Sequence, residues 1–298
     1  MIYTLTLNPA IDYVMETSDV KTGCVNRSSG EKIFFGGKGI NVSLVLAELG
    51  VSTCALGFIG GFTGTALDEG LRSKGILTDF CVLREGMTRI NVKLRGDDVT
   101  EINGSGPHVT DIDLASLTEK LERLVEGDTL VIAGSIPPSL PSDTYENIIK
   151  RLSPKGVRIV LDTTGENLTR PLKYKPYLIK PNIHELSEIA RKELTSFDEV
   201  RNFAFKMYDL GAVNVLVSMG ADGALLVDEF GEVHFREAFS GKTVNTVGAG
   251  DSMLAGFLAG VDKGYDYALR LGTAAGGATA FSEGLATSDA IENLIKMQ

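Results

Sequence analysis

Short apolar, β-branched runs alternate along the chain with longer segments whose apolar positions recur every three or four residues. Tyr3–Leu7, Thr53–Ile59, Thr129–Ala133, Arg158–Asp162, Tyr177–Lys180 and Val213–Ser218 read as strands. Helical spacing falls between most of them: Ile40–Leu49, carrying Val42, Val45, Leu46 and Leu49, then Thr65–Lys74, Asp113–Leu124, Asp143–Leu152 and Phe197–Leu210. This alternation predicts an α/β fold, a mainly parallel central sheet with helices on both faces and right-handed crossovers. From Gly250 the chain reads as mostly helical to its end. Gly256, Gly260, Gly272, Gly276 and Gly277 lie inside that pattern, where small residues let helices approach closely.

Two regions break the rhythm, Asp12–Phe35 and Thr88–Asn103. In the second, TRINVKLRGDDVTEIN, Ile90, Val92 and Leu94 alternate with Asn91, Lys93 and Arg95, and RGDD supplies turn residues, which is a hairpin signal. Both regions read as strands of a small protruding β-sheet, a lid, a dimer surface or both, so a homodimer through that sheet is expected. No internal repeat, low-complexity tract or linker interrupts the chain. Residues 1–298 therefore read as one domain, with lid strands drawn from about 12–35 and 88–103.

Composition narrows the class of function. The 298 residues are 43% hydrophobic and 23% charged, enough for a sizeable core. A net charge of −10 argues against nucleic acid as a partner, since that surface needs cations to replace phosphate counterions. Cys24, Cys54 and Cys81 form no CxxC and read as buried thiols rather than a disulfide framework or zinc site. The opening MIYTLTLNPAIDYV has no basic leader before an apolar segment, and no apolar run approaches the ~20 residues of a membrane span. A cytoplasmic enzyme or binding protein, with no membrane partner, is the expectation.

Familiar phosphate loops are missing. FSGKT, Phe239–Thr243, has the end of a P-loop, but Arg236 stands where its first glycine belongs. The dinucleotide fingerprint fails twice, with Met253 and Val42 at its third glycine. What remains is VNTVGAGDSMLAGFLAG, Val244–Gly260. Gly248 and Gly250 bring no side chain to keep a ligand off the backbone. Met253, Leu254, Phe257, Leu258 and Val261 have helical spacing, so the first turn would offer free amides and a positive dipole end to an anion. Asp251 at that mouth reads either as a helix cap or as a base that takes a proton from an attacking alcohol.

The ordered motifs decide between these. GGKGINVS at Gly36–Ser43, GSIP at Gly134–Pro137, KPNIHE at Lys180–Glu185, SMGADG at Ser218–Gly223 and NTVGAGDSMLAGFL at Asn245–Leu258 are similar to those of the ribokinase-like sugar kinases, the phosphofructokinase B family. Asn245 stands where many members carry Asp. The resemblance spans essentially the whole chain. It implies ATP and Mg²⁺ as cofactors, a small-molecule sugar phosphate as acceptor, and Asp251 as general base beside an anion hole of Gly248, Ala249 and Gly250. An ordinary Asp is a weak base, but it need only accept the proton as the transition state forms.

For substrate binding the resemblance implies Asp12, where the chain enters the small sheet, with Gly36, Gly37, Lys38 and Asn41 of the substrate loop, Arg89 against the phosphate already on the sugar, and Ser135. Arg27 is a further cation that a neighbouring subunit would contribute. Lys180, Ser218, Gly220, Gly223 and Gly250 are implied at the nucleotide, near Lys242–Asn245 and Gly272–Ala278. Asn182 and Glu185 are implied at Mg²⁺, although the same spacing makes a helix capping box. TLNPAID, TRINVKL and TEINGSGP liken the chain to members acting on ketohexose phosphates: fructose 1-phosphate first, tagatose 6-phosphate as the alternative, with a non-catalytic sugar-phosphate sensor less favoured. Nothing in the residues' chemistry fixes which carbon already bears phosphate.

Overall fold

The computed structural model describes residues 1–17, 20–96 and 98–297. The first third runs β1 (Ile2–Thr6), β2 (Ala10–Glu16), β3 (Gly30–Gly36), α1 (Lys38–Glu48), β4 (Thr53–Ile59), α2 (Gly61–Ser73), β5 (Leu77–Thr78), β6 (Cys81–Val82), β7 (Arg89–Arg95) and β8 (Val99–Asn103). The middle adds α3 (Asp111–Leu121), β9 (Thr129–Ala133), α4 (Thr144–Leu152), β10 (Arg158–Asp162), α5 (Glu166–Thr169), β11 (Leu178–Ile179), α6 (Ile183–Ala190), α7 (Phe197–Asp209) and β12 (Asn214–Ser218). The chain ends with β13 (Ala224–Val227), β14 (Val233–Arg236), α8 (Ala249–Gly260), α9 (Tyr265–Ala280) and α10 (Ser288–Lys296).

Ten strands form the main sheet in the order β14-β13-β12-β11-β10-β9-β1-β4-β5, with β6 paired to β4. All pairings are parallel except those of β13 and β14, which turn back as a hairpin. Strand alternation sorts the core onto the two faces. Leu130, Ile132, Ile159 and Leu161 join a cluster with Leu117, Tyr145, Ile149 and Val200, from α3, α4 and α7. Val131, Ala133 and Val160 join the opposite one with Val42, Leu254, Phe257 and Leu269, from α1, α8 and α9. The layers are those the periodicity predicts.

Helix starts differ from those the periodicity predicts. α1 begins at Lys38 and α2 at Gly61, two and four residues before the expected Ile40 and Thr65. α3 starts earlier because Thr110 and Asp113 close a capping box. Asp12 is not at the margin of the small sheet but within it, in β2. Cys54 and Cys81 are buried free thiols, whereas Cys24 is exposed. Among the described residues no helix is long and apolar enough to cross a membrane.

The second sheet has the order β3-β2-β7-β8. β2 pairs antiparallel with β3 and parallel with β7, and β7 pairs antiparallel with β8; Asp97 of the expected RGDD turn lies outside the described residues. Asp12, Asn91 and Asn103 stand in register, so they share one face. Tyr13, Ile33, Val92 and Ile102 share the other.

Candidate active site

The carboxyl ends of β10 and β11 face the start of α8, where the charge of Asp162 acts on Asp251 and Lys180 Nζ lies 3.2 Å from where a Gly250 Cβ would stand; this is the edge at which open α/β sheets bind ligands. Asp162 ends β10 and is fully buried. Two ammonium groups share its Oδ1: Lys38 Nζ at 3.1 Å and Lys180 Nζ at 3.3 Å. Its Oδ2 has no hydrogen-bond partner among the described residues. Burial alone would raise the proton affinity of Asp162, but Lys180 and Lys38 reverse that and hold its pKa below the usual carboxylate range. Burial likewise pulls against the charge on Lys38; Asp162, Asp251 and Glu185 together hold its pKa above the ordinary lysine range. Sequence reasoning passed over Asp162 as the end of a strand. Its place at the carboxyl edge of the sheet is the signal that could have found it.

Asp251 stands in the first turn of α8, 6% exposed. Asn41 Nδ2 donates to its Oδ2 at 2.7 Å. Burial, and then the neighbouring Asp162 charge, push its pKa up to about 7 against the pull of Asn41, Lys180 and Lys38. The sequence suggested an ordinary weak base; the fold makes a stronger one, because the carboxylate is removed from water. Gly248 precedes the helix at φ 81°, a left-handed conformation that favours glycine. Ala249 N–H turns back to Thr246 O at 3.2 Å and Ser252 N–H to Gly248 O at 2.9 Å. Between them, the amides of Gly250 and Asp251 have no backbone acceptor among the described residues. A Cβ on Gly250 would come 3.2 Å from Lys180 Nζ, so glycine lets that cation lie against the helix start. Asn245 shapes the approach, donating to Glu283 O at 3.1 Å and accepting from Val247 N–H at 3.1 Å.

Asn182 and Glu185 do form a capping box at α6, with both reciprocal hydrogen bonds at 2.8 Å. Asn182 Oδ1 is thereby engaged with the helix, while Glu185 Oε1 lies 3.8 Å from Lys38 Nζ. Ser218 bridges to Asn182 at the end of β12. Gly223 has φ 101°, and a Cβ there would lie 2.0 Å from Arg236 O, which makes the tight turn after Gly220 possible only with glycine.

The expected substrate residues divide between two cavities. One of about 330 Å³ is lined by Lys38, Gly37, Arg89, Ser135, Asn8 and Thr163, among others. Arg89 Nε donates to Asn8 O at 3.2 Å and Nη1 to Gly104 O at 3.3 Å, so the TEINGSGP segment helps seat the guanidinium. Tyr145 OH donates to Gly134 O at 3.2 Å and fixes the loop that carries Ser135. The other cavity, about 600 Å³, lies against the small sheet and includes Asp12, Asn41, Lys93, Phe34, Asn245 and Leu285. Gly36 flanks the Asp12 carboxylate: a Cβ there would meet Oδ2 at 3.0 Å. Ser218, Gly220 and Gly223 line neither cavity.

A buried carboxylate with its pKa near 7, unmatched amides at a helix start and two lysines around a second buried acid are parts that phosphoryl transfer can use. The family comparison agrees: residues 5–292 match the pfkB family carbohydrate kinase model, and the chain belongs to that family. It is therefore an ATP-dependent phosphotransferase acting on an alcohol of a carbohydrate. Among relatives, it is 48% identical to the 1-phosphofructokinase of Bacillus subtilis (strain 168), covering 99% of this chain and 97% of that one. It is 38% identical to the D-tagatose-1-phosphate kinase of Bacillus licheniformis, covering 96% and 94%. Among solved structures, phosphofructokinase-2 from Escherichia coli in complex with fructose-6-phosphate superposes with a TM-score of 0.91 at 29% identity, over 99% of this chain and 98% of that one.

Proposed function

We propose that the chain transfers the γ-phosphoryl group of ATP to the 6-hydroxyl of fructose 1-phosphate, yielding fructose 1,6-bisphosphate and ADP. The observation that carries the transfer chemistry is Asp251, buried beside unmatched amides with its pKa pushed up to about 7. The assignment of the acceptor is supported by the 48% identity to a 1-phosphofructokinase over nearly the whole chain.

Asp251 takes the proton of the 6-hydroxyl as that oxygen approaches phosphorus, and Asn41 holds the carboxylate at 2.7 Å. The Gly248–Ala249–Gly250 turn and the Asp251 amide receive the migrating phosphoryl group. Lys38 and Lys180, anchored by Asp162, supply positive charge to the developing transition state. Arg89 and Ser135 hold the phosphate at C1, with Arg89 giving up a backbone carbonyl to grip it by two hydrogen bonds. Asp12 and the Gly36–Gly37 backbone bind the sugar's other hydroxyls. Ser218, Gly220 and Gly223 border the nucleotide.

Glu185 Oε1 is an oxygen donor of the kind Mg²⁺ takes, and Asn182 orients Glu185 through the cap, so this pair fits that ion. Bound there, Mg²⁺ would neutralise charge on the ATP phosphates. Both sheets would work as one kinase domain in the cytoplasm. The outward face of the small sheet, with Ile33 59% and Ile102 60% exposed, supports a homodimer through the lid.

A second reading is favoured by the tagatose-1-phosphate kinase relative. Purified protein given ATP, Mg²⁺ and, separately, fructose 1-phosphate, tagatose 1-phosphate, tagatose 6-phosphate or fructose 6-phosphate separates the acceptors. The highest kcat/KM is expected for fructose 1-phosphate. A higher value for either tagatose ester would replace the acceptor, and binding without turnover of any would support a sensor.

A further inference from the structure

We infer that Lys93 is a positioning residue for Asp12: its ammonium sets the carboxylate that receives the sugar's hydroxyls. The inference rests on the reading of Asp12 as a sugar ligand.

On β7, Asn91 stands opposite Asp12 and Lys93 opposite Val14, so period-2 alternation puts both side chains on the same face of the small sheet as Asp12. They divide its carboxylate between them. Asn91 Nδ2 donates to Oδ1 at 2.8 Å, and Lys93 Nζ lies 3.4 Å from Oδ2. A carboxylate oxygen has two acceptor directions, so each oxygen keeps one for a hydroxyl. The space beside Oδ2 is left open by Gly36, where any Cβ would come within 3.0 Å. Asp12 and Lys93 both line the larger cavity.

The placement is not that of an ordinary surface lysine. The side chain of Lys93 is only 11% exposed, in a sheet whose neighbouring strand β8 is exposed along its whole length. An ammonium removed from water in this way is unfavourable unless paired, and an apolar residue would pack there at less cost. Its second partner, Glu101 Oε1 at 3.7 Å on β8, is farther away and more exposed than Asp12. Arg89, on the same face, directs its Nε and Nη1 to the carbonyls of Asn8 and Gly104 instead. Among the described residues Lys93 is thus the side-chain cation within ion-pair reach of the Asp12 carboxylate, and with it gone Oδ2 would lose that contact.

Lys93→Met, Lys93→Arg, Asp12→Asn and the double variant Asp12→Asn/Lys93→Met test this by steady-state kinetics with fructose 1-phosphate and ATP. K93M is expected to raise the sugar-phosphate KM about tenfold, on the scale of a lost, largely buried ion pair, with the ATP KM within about twofold of the parent. K93R, which keeps the charge, is expected to recover most of the loss. In the D12N background, adding K93M is expected to change KM by less than about twofold, because its effect passes through Asp12. Should K93M lower the unfolding temperature sharply, Lys93→Gln, with a polar tip of similar reach, provides the same cycle. An undiminished effect of the Lys93 change in the D12N background, or equal losses for sugar phosphate and ATP, would overturn the inference alone. A D12N variant with parental KM would overturn the reading of Asp12 and this inference with it.

Discussion

In the proposed reaction Asp251 and Asp12 meet the same sugar, yet the protein surrounds the two carboxylates in opposite ways. Asp251 belongs to a corner where α8 and α9 press together. A Cβ at Gly256 would lie 2.6 Å from Leu271 O, and one at Gly272 would lie 2.8 Å from Met253 O. Nothing there can shift without moving backbone, and the buried acid acquires a pKa of about 7. Asp12 sits in a thin sheet of four strands, held by side chains from β7, with the outermost strand exposed throughout. Fixed burial tunes proton affinity; a lightly packed sheet can admit the sugar and close over it. On the proposed reading, chemistry lies in the corner and recognition in the small sheet.

Asp251→Asn strikes the corner hardest. It keeps the shape and the place of the Asn41 contact but removes the base, so kcat should fall by ~10²–10⁴ while both KM values stay within about threefold. Near-parental turnover would leave Asp251 as no more than a buried acceptor for Asn41 and dissolve the contrast. Arg89→Ala should do the reverse. The sugar-phosphate KM should rise by about 10- to 100-fold, the scale of charge-assisted hydrogen bonds, with the ATP KM little changed. Equal losses for both substrates would mean that Arg89, through Asn8 and Gly104, merely braces the lid.

The mechanical half of the comparison can be sharpened by stability. Gly272→Ala inserts a Cβ against the backbone of α8 and should destabilise the fold by about 1–3 kcal/mol, read from denaturant unfolding. Ile102→Ala, on the exposed lid strand, should change monomer stability by less than about 0.5 kcal/mol. Similar values for the two would show that the lid is packed as firmly as the corner.

How far the sequence foretold this differs between the same two regions. The parallel sheet was legible because its strands are short apolar runs bounded by turn residues, and the β7–β8 hairpin because Ile90, Val92 and Leu94 alternate with polar positions about a turn. The helix start at Gly248–Asp251 was legible from glycines followed by helical periodicity. Asp162 was not, since nothing local distinguishes an acid ending a strand until the sheet brings Lys38 and Lys180 to it from elsewhere in the chain. Lys93 read only as the polar phase of an alternating strand, because which face of a lid sheet meets the ligand depends on long-range pairing of β2 with β7. Motif spacing reports local geometry, whereas the electrostatics of the site come from residues far apart in sequence.

The smallest effect tests that last point. Asp251 must be ionised to accept a proton, so kcat should rise with pH through about 7 and fall on the acid side. Burial is the larger cause of that elevation and the charge of Asp162 the next. Asp162→Asn removes the like charge without opening the corner to water, and it frees Lys38 and Lys180 from their shared anion. Both changes favour the ionised form of Asp251. The acid limb should therefore move to lower pH, by on the order of one unit, even as the plateau drops because the lysines lose their anchor. Profiles of kcat from about pH 5 to about pH 9 for the two proteins measure the shift. A limb that stays near 7 would mean burial alone sets the base, and a limb that moves upward would mean that Asp162 does not act on Asp251 through its charge.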